Sequence, residues 1–179
     1  MFNNYQFREV IVRPTLDALQ LYSLEAEELM VGICAQESLG GTYLKQLTGN
    51  AFGPFQMQKN DHDDLWNIIL PNNIKLTHDL LKFCMLNAKP NAELMEFHLR
   101  YACSMARIHF IRFAEAIPKD VEDQAQYWKM YYNKPQGKGT VQEYLKNYQR
   151  FIGGRSNGQS ERVGKKPSQG NPEKKEGQG

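Results

Sequence analysis

The chain has 179 residues, 41 % of them hydrophobic and 11 % aromatic, enough for one core. Its 22 Lys and Arg nearly balance 20 Asp and Glu, and a net charge of +2 is too small for the basic footprint of a nucleic-acid-binding protein. No stretch approaches the ~18 apolar residues of a membrane span, and the cysteines, Cys34, Cys84 and Cys103, fit neither a CxxC metal spacing nor a disulfide framework.

In chain order, the N-terminal MFNNYQFREVIVRP lacks the charged start and apolar run of a secretory signal. Pro14 suits a first helical position, with Leu16, Leu19 and Leu21 after it. Ser23 can cap a second helix that carries Glu25, Glu27 and Glu28 near its positive end and runs to about Gln36. A polar loop covers 38–60, and its pattern admits a β-hairpin inside 42–58. Short helical pieces are expected at 63–70 and 76–87, separated by the Pro-Asn-Asn turn at 71–73.

The longest helical pattern is 91–116, where Leu94, Phe97, Tyr101, Met105, Ile108 and Arg112 recur without an intervening Gly or Pro, and Pro118 stops it. Another helix is expected at 121–132. Thr140 caps a last one that reaches Phe151. The cysteines lie in apolar helical patterns and read as small core residues. From Gly153 on, GGRSNGQSERVGKKPSQGNPEKKEGQG has one aliphatic residue, Val163, and no aromatic. Such a segment cannot offset its ordering entropy by burial. The expectation is a mainly α domain over 1–152 and a disordered Gly/Ser/Lys-rich tail over 153–179.

Ala26, Met30, Ile33 and Glu37 recur at helical spacing and share one face. The apolar members mark that face as the inward one, so Glu37 continues a buried stripe at the carboxyl end of its helix. Partial burial and the free carbonyls of a helix end both disfavour its charged form. A glutamate protonated near neutral pH is what a general acid requires. The plainer alternative is a helix-end cap or salt bridge. After the loop comes Gly53-Pro54-Phe55-Gln56-Met57. Gly53 lets backbone approach a ligand closely, Gln56 offers a donor and an acceptor to sugar hydroxyls, and Phe55 and Met57 are expected to face the core.

Glu37-Ser38 followed by Gly53-Pro54-Phe55-Gln56-Met57 resembles the soluble lytic transglycosylases of the goose-type lysozyme-like fold, whose pattern is a Glu-Ser pair and then Gly-Leu-Met-Gln at nearly this distance. Tyr131-Tyr132-Asn133-Lys134-Pro135 stands where that family has an Ala-Tyr-Asn-Ala-Gly box, and Val141-Gln142-Glu143-Tyr144-Leu145 is similar to its downstream segment. The departures are Pro54-Phe55 for Leu-Met, Tyr131 for the first Ala of the box and Pro135 for its Gly.

The resemblance implies cleavage of the β-1,4 bond between N-acetylmuramic acid and N-acetylglucosamine in peptidoglycan glycan strands, with a 1,6-anhydro ring in the product and no cofactor or metal. It implies Glu37 as acid and then base, Ser38 as a substrate contact or orienter of the glutamate, and Gln56 on the sugar backbone. Tyr132 would fix Glu37 by a hydrogen bond and Asn133 would contact substrate. Tyr43, Phe52 and Tyr131 are candidate stacking platforms. A hydrolytic muramidase would need a second carboxylate, for which Asp61, Asp63 and Asp64 are nearest in sequence. The run Asn60–Asp64, with His62 and His78, fits no metal spacing and reads as a helix-starting acidic cluster. His98 and His109 read as partly buried helix residues. With no export signal in view, the expected setting is a phage virion acting on the host periplasm and cell wall, with a conjugation or secretion machine next. The remaining alternative is a non-catalytic helical structural or adaptor protein of such an assembly.

Overall fold

The computed structural model describes residues 1–153 and is mainly α-helical. The tail expected over 153–179 lies outside the described residues except for Gly153, which ends the last helix.

Helix α1 (Asn4–Gln6) passes through a widened π-helical turn, Phe7–Val12, into α2 (Arg13–Ala18). The helical course therefore begins at Asn4, whose cap Asn3 accepts the Gln6 N–H at 3.0 Å, and the start expected at Pro14 is an interior position. Pro14 has no N–H to give the preceding turn. Beside it the Arg13 N–H reaches the Arg8 carbonyl instead, in π-helical fashion, so the chain continues without a break.

Helix α3 (Leu24–Ser38) starts as expected, with the Ser23 side chain accepting the Ala26 N–H at 3.1 Å. A short antiparallel pair follows, β1 (Ala51–Phe52) and β2 (Met57–Gln58), with Ala51 opposite Gln58 and Phe52 opposite Met57. Its turn closes through the Gln56 N–H to the Gly53 carbonyl at 3.0 Å. Phe55 and Met57 are buried, as their alternation demands. Helix α4 (Lys59–Asp64) runs on through the turns Leu65–Ile69 and Leu70–Asn72, and α5 (Ile74–Phe83) follows.

The pattern at 91–116 is not one helix. It divides into a 3-10 turn, Ala92–Glu96, then α6 (Leu99–His109), then a second 3-10 turn, Phe110–Arg112. The hairpin abuts the first turn: Gly53 has φ 74°, and a Cβ there would fall 2.3 Å from the Met95 carbonyl oxygen. His98 then restarts the helix. Its Nδ1 accepts the Tyr101 N–H at 3.1 Å, which leaves Nε2–H to donate to the Cys84 carbonyl at 3.1 Å. Helix α7 (Val121–Trp128) extends into a π-helical turn, Lys129–Asn133. The last helix, α8 (Val141–Gly153), opens on a capping box: Glu143 accepts the Thr140 N–H at 2.8 Å and Thr140 Oγ1 accepts the Glu143 N–H at 3.2 Å.

The core is organised around α3, which packs against α2, α6, α7 and α8. Every residue from Leu29 to Ala35 is buried, so this helix has no solvent face along its middle. At Gly32 the Tyr144 ring of α8 lies where a side chain would otherwise stand. Near its start Glu27, itself buried, is paired with Arg13 at 2.9 Å, while Glu28 holds Arg8 at 2.7 Å. These pairs fasten the N-terminal helices across α3. All of the cysteines are buried and free.

Candidate active site

Glu37 sits in the last turn of α3, where the helix emerges from its wrapping. The turn that follows is built by Ser38. Its Oγ donates to the Cys34 carbonyl at 2.9 Å and accepts the Gly41 N–H at 2.8 Å, and its backbone carbonyl accepts the Thr42 and Tyr43 N–H groups. Leu39 adopts a left-handed conformation, and the Gly40 N–H returns to the Cys34 carbonyl at 3.0 Å, so the helix end is closed by its own backbone. Ser38 is thus buried and committed to the turn. It does not line the cleft, where a substrate contact was expected, and its hydroxyl is bonded within the turn rather than to Glu37.

A cleft opens beside Glu37. The hairpin supplies one wall through Gln56, Met57 and Gln58, and α4 supplies Asp61. The rest of the lining comes from His109 of α6 and from Tyr132, Asn133 and Lys134 after α7. Four of the residues singled out in the sequence, Glu37, Gln56, Tyr132 and Asn133, therefore meet at one opening.

Burial pushes the Glu37 carboxyl up to about 7, and one hydrogen bond pulls the other way. That bond comes from Trp128, whose indole Nε1 donates to Glu37 Oε1 at 2.8 Å. The expected donor was Tyr132. Its hydroxyl instead donates to the Phe55 carbonyl at 2.8 Å, with its ring stacked on Phe110 at 5.7 Å. Tyr132 remains close enough that the Glu37 charge, after burial, helps raise its phenol well above the ordinary value.

Gln56 has φ 46° at the end of the hairpin turn, and its Nε2 donates to the Gly53 carbonyl at 2.8 Å. The amide is thereby fixed over the turn while its side chain borders the cleft. Asn133 is held by Lys129, whose Nζ donates to Asn133 Oδ1 at 2.8 Å and to the Gly137 carbonyl at 2.7 Å.

Asp61, named only as a nearby acid in the sequence, is a cleft residue. It pairs with Lys134 at 3.2 Å and with Arg112 at 3.9 Å. Arg112 Nη2 also donates to His109 Nδ1 at 2.6 Å. An arginine only donates and a carbonyl only accepts, so Nε2 carries the His109 proton and gives it to the Tyr131 carbonyl at 2.8 Å. Burial, then Arg112, lowers this imidazole to about 4, and it stays neutral. His109 is therefore a strut under Arg112 and Asp61.

Asp63 turns away, toward Lys59 and Lys89. His62 is fully buried, with Nε2 on the Tyr101 hydroxyl at 2.7 Å and Nδ1 on Asp63 at 3.1 Å. Both of its ring nitrogens have protein partners. Among the candidate platforms, Phe52 is buried, Tyr131 packs on Phe113 at 4.4 Å and Tyr43 is exposed, and none of the three lines the cleft.

Trp128, the hydrogen-bond partner of Glu37, is the residue the sequence reading missed. In sequence it is an apolar residue in a helical pattern, and nothing near it signals a polar partner. No family model, curated protein or solved structure matches the chain.

Proposed function

We propose that the protein is a peptidoglycan lytic transglycosylase with a lysozyme-like arrangement of helices, cleaving the β-1,4 bond between N-acetylmuramic acid and N-acetylglucosamine. The observation that carries this reading is Glu37: a carboxyl raised to about 7 at the edge of a polar cleft. A group titrating there is populated both as acid and as base at neutral pH, which suits one residue to both proton transfers.

In the first step Glu37 gives its proton to the glycosidic oxygen, the bond from that oxygen to the muramic C1 breaks, and the glucosamine product leaves with a 4-hydroxyl. In the second the muramic O6 bonds to C1, and its proton returns to the Glu37 carboxylate. The residue is restored and the 1,6-anhydro ring is closed. Gln56 and Asn133 both line the cleft and carry amide groups, the kind of donor–acceptor pair that sugar hydroxyls and acetamido groups use. The setting proposed with this activity is a phage virion that opens the host wall.

One observation favours a second reading. Asp61 borders the same cleft as Glu37, and a second carboxylate is what an inverting hydrolase uses to activate water. Digestion of purified peptidoglycan by the wild type and by Glu37→Gln tests both. The lyase reading expects anhydro-muropeptides from the wild type and none from the folded variant. Reducing-end products that vanish in Asp61→Asn establish the hydrolase instead. A wild type without any muralytic activity overturns both.

A further inference from the structure

Trp128 is fully buried at the end of α7, with its ring 5.2 Å from that of Tyr144. A buried indole N–H needs an acceptor, and this one has Glu37 Oε1 at 2.8 Å. The indole nitrogen is a donor only. It therefore asks Oε1 to act as an acceptor whether the carboxyl is charged or neutral, and the neutral acid accepts best at its carbonyl oxygen. The proton of the neutral acid then belongs on Oε2. Tyr132 does not compete for this place, because its hydroxyl is engaged by the Phe55 carbonyl.

We propose that Trp128 is the positioning residue of the site: its indole N–H holds Oε1 of Glu37 as the permanent acceptor and leaves Oε2 as the oxygen that delivers and recovers the proton. This rests on the reading of Glu37 as the acid and base. The fixed indole serves both steps. In the first it holds the carboxyl in one orientation, so the proton does not wander between oxygens. As that step proceeds it also stabilises the carboxylate that forms, against the burial that disfavours it, and in the second it keeps that carboxylate oriented to take the proton back. That opposition is visible in Glu37 itself, where burial raises the carboxyl and the Trp128 bond lowers it.

The chain has two tryptophans, and each indole has a different partner. Trp66 Nε1 donates to the Tyr101 hydroxyl at 2.8 Å, and burial keeps that phenol protonated far above neutral pH. The titratable group nearest it is His62, which bonds the same hydroxyl at 2.7 Å and whose imidazole burial pushes below its ordinary value, so the Trp66 indole N–H serves as the reference. In ¹H–¹⁵N spectra of the full chain recorded from pH 5 to pH 9, the Trp128 indole signal is expected to move with a midpoint of about 7. The Trp66 signal stays, and the Trp128 movement is lost in Glu37→Gln.

Trp128→Phe keeps an aromatic ring against Tyr144 and removes the donor. It is expected to lower kcat by at least about tenfold with little change in KM, and to move the pH optimum upward. A Trp128 signal that does not titrate, or that titrates equally in Glu37→Gln, overturns the proposal while leaving muralytic activity intact. An unshifted pH profile in a folded Trp128→Phe protein overturns it as well. Titration of the indole in a protein without muralytic activity leaves the coupling standing and removes the proposed function alone.

Discussion

The hydroxyl of Tyr132 donates to the carbonyl of Phe55 at 2.8 Å, joining residues 77 apart in sequence. One belongs to the turn after α7 and the other to the hairpin turn, and Tyr132 and the neighbouring Gln56 line the cleft. Gln56 is the next residue after that carbonyl, so the bond sets where its amide stands. Tyr132→Phe leaves the Phe55 carbonyl without its donor, and a loss of about 1–2 kcal/mol in urea denaturation is expected. Activity should fall further than that loss of stability accounts for, read as kcat/KM under conditions where the variant is fully folded. Equal kcat/KM values for variant and wild type would show that the bond does not shape the cleft.

Glu37 predicts an unusual pH dependence of stability. Its carboxyl is raised from the ordinary 4.5 to about 7 by burial. Below pH 4.5 folded and unfolded states both carry the proton, and the residue costs nothing. Between 4.5 and 7 the unfolded chain ionises while the folded one does not, so stability drains away as pH rises through that window. Above 7 the loss is complete, on the order of 3 kcal/mol for a shift of this size. Glu37→Gln has no charge to desolvate and keeps an acceptor for Trp128. It should match the wild type near pH 4 and exceed its stability near pH 8. Denaturation curves at the two pH values decide this, and parallel behaviour of the two proteins would contradict the buried-acid description.

Gly53 is where the hairpin meets the turn before α6. Its φ of 74° disfavours any side chain, and a Cβ would stand 2.3 Å from the Met95 carbonyl oxygen. Backbone on both sides leaves nothing flexible to give way. Gly53→Ala is expected to destabilise the fold by about 3 kcal/mol or more, with a lowered midpoint in thermal denaturation. A variant as stable as the wild type would mean that the hairpin does not rest on this contact.

Several elements were legible because their causes are local. Ser23 caps α3 and Thr140 opens α8 through bonds that span three residues. The hairpin follows from Gly53 and from the alternation that buries Phe55 and Met57. Other elements were not. Pro14 resembles a helix start, yet a π-helical turn beside it lets the helix run through. The pattern at 91–116 has no internal breaker, but the hairpin and the His98 cap divide it. Ser38, paired with Glu37 in the motif, is used by the turn.

Glu37 illustrates the boundary most clearly. The residues themselves were enough to place a glutamate at the end of an apolar helix ahead of a glycine-bearing hairpin, because helix caps, turn conformations and side-chain alternation act over a few positions. They could not say what would surround it. The stripe of Ala26, Met30, Ile33 and Glu37 reads as one inward face, whereas α3 is buried on every side along its middle, from Leu29 to Ala35. The partner of the carboxylate, Trp128, comes from 91 residues away. Desolvation and the hydrogen bond that opposes it depend on every element folded around the group, so the acidity of Glu37 was decided only when α6, α7 and the hairpin closed over the end of α3.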